Sequence, residues 1–180
     1  WKRKQQVPSQ PYMKEKMKEK IQKVVDRRYV TKGRVHSLIN VFAVPKGDSD
    51  IRMVCDGTKS GLNAAVFSPN FFLPSIDSLL MTVNANSWFG DSDLGEMFLN
   101  YTMHGLIQKY SGMDLTAIYN SKFSDWRVWT RMFMGFTASP YVTTKLFGWC
   151  IDVIMGDRSS TNNPFKWNHV KVNLPGSSDY

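Results

Sequence analysis

Apolar residues near the amino terminus recur at the spacing of an α-helix. The members of this stripe are Met13, Met17, Ile21 and Val24. The intervals between them are four, four and three residues, and lysines fill many of the positions between. The pattern predicts a helix from Met13 to about Arg28 that packs by one narrow face and exposes its lysines.

The pattern then changes from helical spacing to runs of β-branched and aromatic residues. "VHSLINVFAV" (35–44) and "IRMVCD" (51–56) are separated by "PKGDSD", which has the composition of a turn. This arrangement predicts a β-hairpin.

Further along, apolar spacing and capping residues predict several shorter elements. Ser75 and Asp77 favour the start of a short helix, and Pro140 favours the start of a longer one that runs to Gly156. Alternation predicts a strand in "WRVWTRMFM" (126–134), with weaker strand signals at 86–94 and 169–176. Helix and strand features are mixed in "GEMFLNYTMHGLIQKY". The predicted order of helix, hairpin, helix, strand, strand and helix indicates an α+β fold.

Charge is distributed very unevenly along the 180 residues. Residues 1–36 contain 12 of the 23 Lys and Arg residues but only 3 of the 15 Asp and Glu residues. The whole of the net charge of +8 therefore lies in the first fifth of the chain. Such a segment is typical of contact with a polyanion, although a solvated basic face is an equally good explanation of the charges alone.

The cysteines and the hydropathy of the chain indicate its cellular compartment and argue against zinc-binding, disulfide-rich secreted and membrane-spanning proteins. The two cysteines lie far apart, without the spacing of a zinc site or the density of a secreted disulfide scaffold. We therefore expect a reducing, intracellular environment, cytoplasmic or nuclear. No apolar run approaches the ~20 residues of a membrane-spanning helix, so no membrane partner is expected.

Three carboxylates lie close together in "GDSDLGEMF", residues 90–98. They are Asp91, Asp93 and Glu96, between the apolar segments "SWF" and "MFL". Acids in a turn are most often solvated or capping residues. A carboxylate held beside apolar packing is costly unless it is paired, however, and Mg²⁺ takes oxygen ligands of this kind.

Two other stretches carry candidate binding chemistry. Lys46 and Arg52 flank the hairpin turn and could both project from one end of the ribbon, where cations suit a triphosphate or a nucleic-acid backbone. "MGFTASP" (134–140) combines small residues with a helix start, so its backbone can approach a ligand closely. Exposed hairpin cations and a simple turn are the alternative interpretations.

Taken in order, these motifs resemble the fingers and palm of reverse transcriptases, particularly those of long-terminal-repeat retroelements and retroviruses. The segments that carry the resemblance are "FAVPKGDSDIRMVCD…LN", "FFLPSIDSLL", "FGDSDLGEMFL" and "RMFMGFTASP". They are similar to the fingers hairpin, the following connection, the first palm motif and the later Gly-x-x-x-Ser-Pro motif. The resemblance covers about residues 35–156.

The resemblance implies an RNA-directed DNA polymerase that adds deoxynucleotides to a primer 3′-hydroxyl by two-metal phosphoryl transfer. It implies that Asp93 is catalytic and that Asp93 and the Leu94 main-chain carbonyl are Mg²⁺ ligands, with Asp91 as an accessory charge or a turn residue. The residues implied at the deoxynucleoside triphosphate are Lys46, Arg52, Phe98, Met134 and Gly135. Those implied at the RNA or DNA template-primer are Asp56, Lys59, Ser139 and Pro140. Phe98 would exclude a ribose 2′-hydroxyl by its bulk. Glu96 is left open between the edge of the site and a simple salt bridge.

The resemblance also implies a division of the chain into four parts. They are a basic arm and amphipathic helix (1–34), a fingers-like hairpin and connection (35–75), a palm-like subdomain (76–157) and a loop leading to a truncated palm strand region (158–180). The family's second carboxylate motif, an aromatic-x-Asp-Asp hairpin, does not occur before Tyr180. We therefore expect a fragment that is inactive as this chain, and the alternatives are a non-catalytic nucleic-acid-binding remnant and a small α+β protein that matches by chance.

Overall fold

The chain combines helices with antiparallel strands. The computed structural model describes residues 5–73, 75–81, 93–157 and 159–163. The helices are α1 (Pro11–Asp26), α2 (Leu62–Ala65), α3 (Ile76–Leu80), α4 (Gly105–Gln108) and α5 (Ser139–Met155), with a 3-10 helix at Met97–Asn100. The strands are β1 (Val30–Lys32), β2 (Asn40–Lys46), β3 (Asp50–Asp56), β4 (Gly112–Asp114) and β5 (Trp126–Trp129). The predicted α+β class is confirmed.

These elements belong to two compact units, each built from two separate stretches of the chain. The first unit comprises Trp1–Phe67 and Glu96–Ser139, and the second comprises Ser68–Gly95 and Pro140–Tyr180. The units follow contacts in space rather than chain order, so the four-part division of the sequence stays a prediction.

Helix α1 forms where the apolar stripe predicts it. It begins two residues earlier than expected because Pro11 occupies its first turn, where the missing N–H of proline has no intrahelical partner to lose. Met17, Ile21 and Val24 are buried, and the helix packs against β1, β2 and β3. The helix ends at Asp26 with Arg27 as its C-cap, and Arg28 turns the chain with a φ of 57°.

Strands β2 and β3 form a separate two-stranded ribbon. Its inner face carries the buried residues Val41, Ile51 and Cys55. Strand β3 lies within one residue of its predicted bounds, but β2 begins at Asn40 rather than residue 35. The prediction was too long because Leu38 instead bridges Gly112 and the Ile39 N–H donates to the Gly112 carbonyl.

At Val41 the outer edge of β2 is covered by a side chain rather than by another strand. The Val41 N–H donates to Gln5 Oε1 at 3.2 Å, and Gln5 Nε2 donates to the Val41 carbonyl. Gln5 is itself buried. Its amide thus satisfies both backbone groups of Val41 that face away from β3.

The other sheet has the strand order β1-β5-β4, with both pairs antiparallel. It carries much of the core of the first unit, including Trp129, Met113 and Val128. The predicted strand 126–134 stops at Trp129, since Thr130 and Met132 instead bond to backbone outside the sheet. Strands β1 and β4 were missed because three residues are too few to show an alternating pattern.

The remaining predictions have mixed outcomes. The helix starting near Pro140 is confirmed as α5, and the helix after Ser75 is confirmed as the shorter α3. The unassigned segment forms the 3-10 helix and α4. The predicted strand at 169–176, and that at 86–94 apart from its last two residues, lie outside the described residues. Within the described part of the chain, no helix has the length and apolar character needed to cross a membrane.

Candidate functional site

The hairpin ribbon presents two cations on one face. Register pairs Lys46 with Asp50 and Val44 with Arg52, so these four residues share the face opposite to the buried one. Lys46 and Arg52 are therefore diagonal neighbours, and both are exposed. Neither forms an ion pair with a residue that the structure describes.

The acid opposite Lys46 is already engaged by helix α1. Lys20 Nζ lies 3.0 Å from Asp50 Oδ1, and this hydrogen bond, aided by the Ile51 N–H, lowers the pKa of Asp50. The charge of Lys46 also lowers the pKa of Asp50, but the larger cause is Lys20, so the ribbon face stays positive towards an anionic ligand.

Asp56 ends strand β3 on the same face of the ribbon and organises the turn that follows. Its Oδ1 accepts a hydrogen bond of 2.8 Å from the Thr58 N–H, which is an Asx turn. The predicted template contact Lys59 lies exposed in this turn. Asp56 thus has a structural role whatever it binds.

The turn at Gly135 packs directly against the end of β3. Gly135 has a φ of +96°, and a Cβ atom on it would lie 1.8 Å from the Cys55 carbonyl oxygen. The Gly57 N–H donates to the Gly135 carbonyl at 3.3 Å. Only glycine allows this close approach, so the glycine of "MGFTASP" is required by backbone contact between two motifs.

Asn63 joins these two motifs through its side chain. Its Nδ2 donates to the Gly135 carbonyl at 2.9 Å, and its Oδ1 accepts from the Thr137 N–H at 3.0 Å. Its backbone N–H also donates to the Gly57 carbonyl at 3.2 Å. Asn63 belongs to the segment that resembles the fingers motif, but the sequence alone assigned it no role.

The neighbours of Gly135 differ in exposure. Met134 is 57% exposed, whereas Ser139 is fully buried and its Oγ donates to the Phe133 carbonyl at 2.9 Å. Ser139 therefore closes the loop through an internal hydrogen bond. Pro140 is the second residue of α5 and belongs to the second unit.

The segment that follows the acidic motif is fixed to the chain after β5. Thr102 bridges Arg131, the Met132 N–H donates to the Tyr101 carbonyl at 3.0 Å, and the Met103 N–H donates to the Thr130 carbonyl at 2.8 Å. Phe98 lies just before this pairing, half-buried in the 3-10 helix. The first unit thus holds the segments 55–63, 96–103 and 130–139 in one connected arrangement.

Of the three acids, the structure describes two. Glu96 has a φ of 53° and forms an ion pair with Arg27, which directly follows α1. Asp93 and Leu94 are exposed and belong to the second unit. Asp91 lies outside the described residues.

The described residues do not by themselves form a metal site. Among them, no group of three or more His, Cys, Asp or Glu side chains could hold a metal ion. A single exposed carboxylate at Asp93 falls short of the several oxygen ligands that Mg²⁺ takes.

Comparison with known proteins places this arrangement in a structural class. The helices and antiparallel sheets form an α+β, partial polymerase-like fold that is similar to a reverse transcriptase. A foamy viral protease-reverse transcriptase, solved in complex with double-stranded DNA, matches with a TM-score of 0.62 and 20% sequence identity. The match covers 86% of this chain and only 25% of the viral chain. No protein-family model matches the sequence, and no curated protein matches it.

Proposed function

We propose that the chain is the fingers-and-palm part of an RNA-directed DNA polymerase of a long-terminal-repeat retroelement or retrovirus-like element. The observation that carries the proposal is the joint between the hairpin and the Gly135 turn. Cys55, Asn63 and Gly135 hold the two motifs in backbone contact. The likeness in fold to a reverse transcriptase supports this interpretation.

In the proposed function, the exposed face of the ribbon binds the incoming deoxynucleoside triphosphate. Lys46 and Arg52 would neutralise its phosphates, Arg52 by bidentate hydrogen bonds and Lys46 as a point charge. Met134 and the Gly135 backbone would contact the nucleotide, and Phe98 would lie against its sugar. Asp56 and Lys59 would lie along the template-primer, with Ser139 and Pro140 shaping the loop beside it.

Mg²⁺ is part of the proposal only for an enzyme in which other carboxylates join Asp93. Asp93 and the Leu94 carbonyl would then be two of its ligands, with Asp91 as an accessory charge. The ion would supply positive charge at the reacting phosphates. We also propose a reducing compartment, cytoplasmic or nuclear, because both cysteines are free thiols.

Triphosphate binding by the chain itself tests the proposal. Arg52→Gln should weaken binding of a fluorescent deoxynucleoside triphosphate about tenfold to a hundredfold, since a hydrogen bond to a charged group is worth about 1.5–3 kcal/mol. Arg34→Gln removes the same charge from another exposed position of the first unit and is the matched control. Equal affinities of the two variants would contradict the assignment of the ribbon face.

Catalysis is tested in a polypeptide extended to include further palm carboxylates. Asp93→Ala should abolish primer extension while template-primer binding remains. Phe98→Ala should admit ribonucleotides, because the bulk that excludes the 2′-hydroxyl is gone. Unchanged sugar selection would show that Phe98 does not face the sugar.

A second candidate function is a non-catalytic nucleic-acid-binding protein. The exposed α1 residues Lys18 and Lys23 favour it, since they offer positive charge to phosphates whether or not chemistry occurs elsewhere. This alternative predicts nucleic-acid binding that falls steeply with salt, together with no difference between Arg52→Gln and Arg34→Gln in triphosphate binding.

A further inference from the structure

A recess of about 400 Å³ lies in the first unit, formed by residues that none of the motifs above includes. One wall is the end of β1, at Lys32 and Gly33. The other wall is the segment 121–126, which leads into β5. The volume falls within the range of about 300–1,000 Å³ that is typical of small-molecule sites.

The recess combines positive charge with an aromatic surface. Lys32 and Lys122 are both exposed on its walls. Phe123 is 85% exposed, and the half-buried Trp126 lies on the same segment. A phenylalanine so exposed contributes little to the core, and its ring is free to be covered by a ligand.

The acid in the recess does not cancel its positive charge. Asp125 forms an ion pair with Arg127, whose Nε lies 3.2 Å from Asp125 Oδ1. Lys32 and Lys122 have no ion-pair partner among the described residues. The net charge presented to a ligand is therefore positive.

The walls of the recess are anchored, so the recess exists before any ligand arrives. The Leu115 N–H donates to the Asp125 carbonyl at 2.8 Å, and the Asp125 N–H donates to Thr116 Oγ1 at 3.0 Å. Immediately before the same segment, Lys14 Nζ donates to Asn120 Oδ1 at 3.2 Å and so ties this wall to helix α1. Preformed sites lose less entropy on binding than flexible ones.

We infer that this recess is a binding site for single-stranded nucleic acid, with one unpaired base stacked on Phe123 and its phosphates at Lys32 and Lys122. Aromatic side chains next to a positive surface are the usual means of binding unpaired strands. A duplex keeps its bases stacked within the helix and cannot present a base face to Phe123, so the site selects unpaired strands. The inference goes beyond the proposed function, which uses the hairpin and the Gly135 turn.

The test measures binding of a short fluorescent oligothymidylate to the chain by anisotropy. Phe123→Ala should weaken binding about fivefold to a hundredfold, as expected for the loss of one stacked base. Phe67→Ala is the matched control, because Phe67 is 86% exposed in the same unit but lies outside the recess. Phe123→Trp should restore binding. Both phenylalanines are so exposed that neither variant should compromise folding.

Two further measurements locate the binding surface. Lys32→Gln with Lys122→Gln should reduce the slope of log affinity against log salt by about 0.7 for each phosphate of the single strand that these lysines neutralise. Photo-crosslinking of an iodouridine-containing strand should label a peptide that includes Phe123 or Trp126. A blunt duplex of the same length should bind equally to the wild-type chain and to Phe123→Ala.

Several outcomes would overturn the inference. They are equal oligothymidylate affinities of Phe123→Ala and Phe67→Ala, crosslinks confined to other peptides, and polyglutamate binding with the same dependence on Phe123. If triphosphate binding responds to Arg52→Gln but oligothymidylate binding does not respond to Phe123→Ala, the recess is excluded while the proposed function stands. If only the Phe123 variant responds, the recess stands without support for the hairpin site.

Discussion

Replacement of Gly135 by alanine tests the joint between the hairpin and the later motif. The new Cβ would lie 1.8 Å from the Cys55 carbonyl oxygen, whereas Cβ atoms essentially never approach another heavy atom within 3.0 Å. The two segments must therefore separate by more than an ångström. That movement breaks the hydrogen bonds from the Gly57 N–H and Asn63 Nδ2 to the Gly135 carbonyl.

The magnitude follows from two contributions. A non-glycine residue in the left-handed region costs about 1–2 kcal/mol. Two hydrogen bonds contribute about 0.5–1.5 kcal/mol each. Gly135→Ala should therefore lower the free energy of unfolding by about 2–5 kcal/mol. Urea denaturation followed by tryptophan fluorescence measures this difference.

Substitutions at two other glycines of the first unit distinguish the cost of a left-handed backbone conformation from the cost of a steric clash. Gly61 has a φ of +80° but open space around its Cβ position, so Gly61→Ala should show only the backbone cost of about 1–2 kcal/mol. Gly105 has open space and lies outside the left-handed region, so Gly105→Ala should leave stability nearly unchanged. If Gly135→Ala were no worse than Gly61→Ala, the close contact with Cys55 would be refuted.

Three further predictions concern the same unit. Asn63→Ala should lower the free energy of unfolding by about 1–3 kcal/mol, because it removes two hydrogen bonds across the joint; urea denaturation measures this. Lys20→Gln should raise the pKa of Asp50 in a carboxyl NMR titration, since Lys20 is the main cause of its lowering. The stabilisation from Asp50 is complete above the ordinary carboxyl pKa and is lost as pH falls through the lowered pKa, so the two proteins should converge in stability in acid. Burial raises the pKa of the Cys55 thiol to about 12, so at mildly alkaline pH iodoacetamide should modify the half-buried Cys150 first and Cys55 only after unfolding.

A specific result would contradict each of these three predictions. Unchanged stability of Asn63→Ala would mean that the Gly57 and Cys55 contacts hold the joint alone. An unshifted Asp50 titration in Lys20→Gln would show that the Ile51 N–H is the main cause instead. Alkylation of Cys55 in the folded protein at the rate of Cys150 would contradict its burial.

Local patterns were sufficient for the larger elements of the fold. Helix α1 follows directly from the apolar stripe, and the hairpin follows from two β-branched runs around a turn. The pattern could not show that residues 35–39 leave the hairpin, because their partner Gly112 is far away in sequence. Strands β1 and β4 depend on pairing with β5 rather than on their own composition.

The candidate site likewise has features that the sequence predicts and features that depend on contacts between distant residues. The position of Lys46 and Arg52 near one turn indicated that both cations lie at one end of the ribbon, and the register places them on one face. The role of Asn63 could not be predicted, because its contact with Gly135 spans 72 positions and only the folded chain brings them together. The partner of Glu96 was missed for the same reason, since Arg27 lies 69 positions earlier.

The amide of Gln5 has a consequence for how the hairpin behaves outside its own fold. An isolated two-stranded ribbon offers a free edge to any other extended chain, and proteins commonly cover such edges. At Val41 a single side chain takes the place of a neighbouring strand. Removal of the segment that carries Gln5 would therefore free both backbone groups of Val41 to pair with another extended chain, and we expect lower solubility even with the core intact.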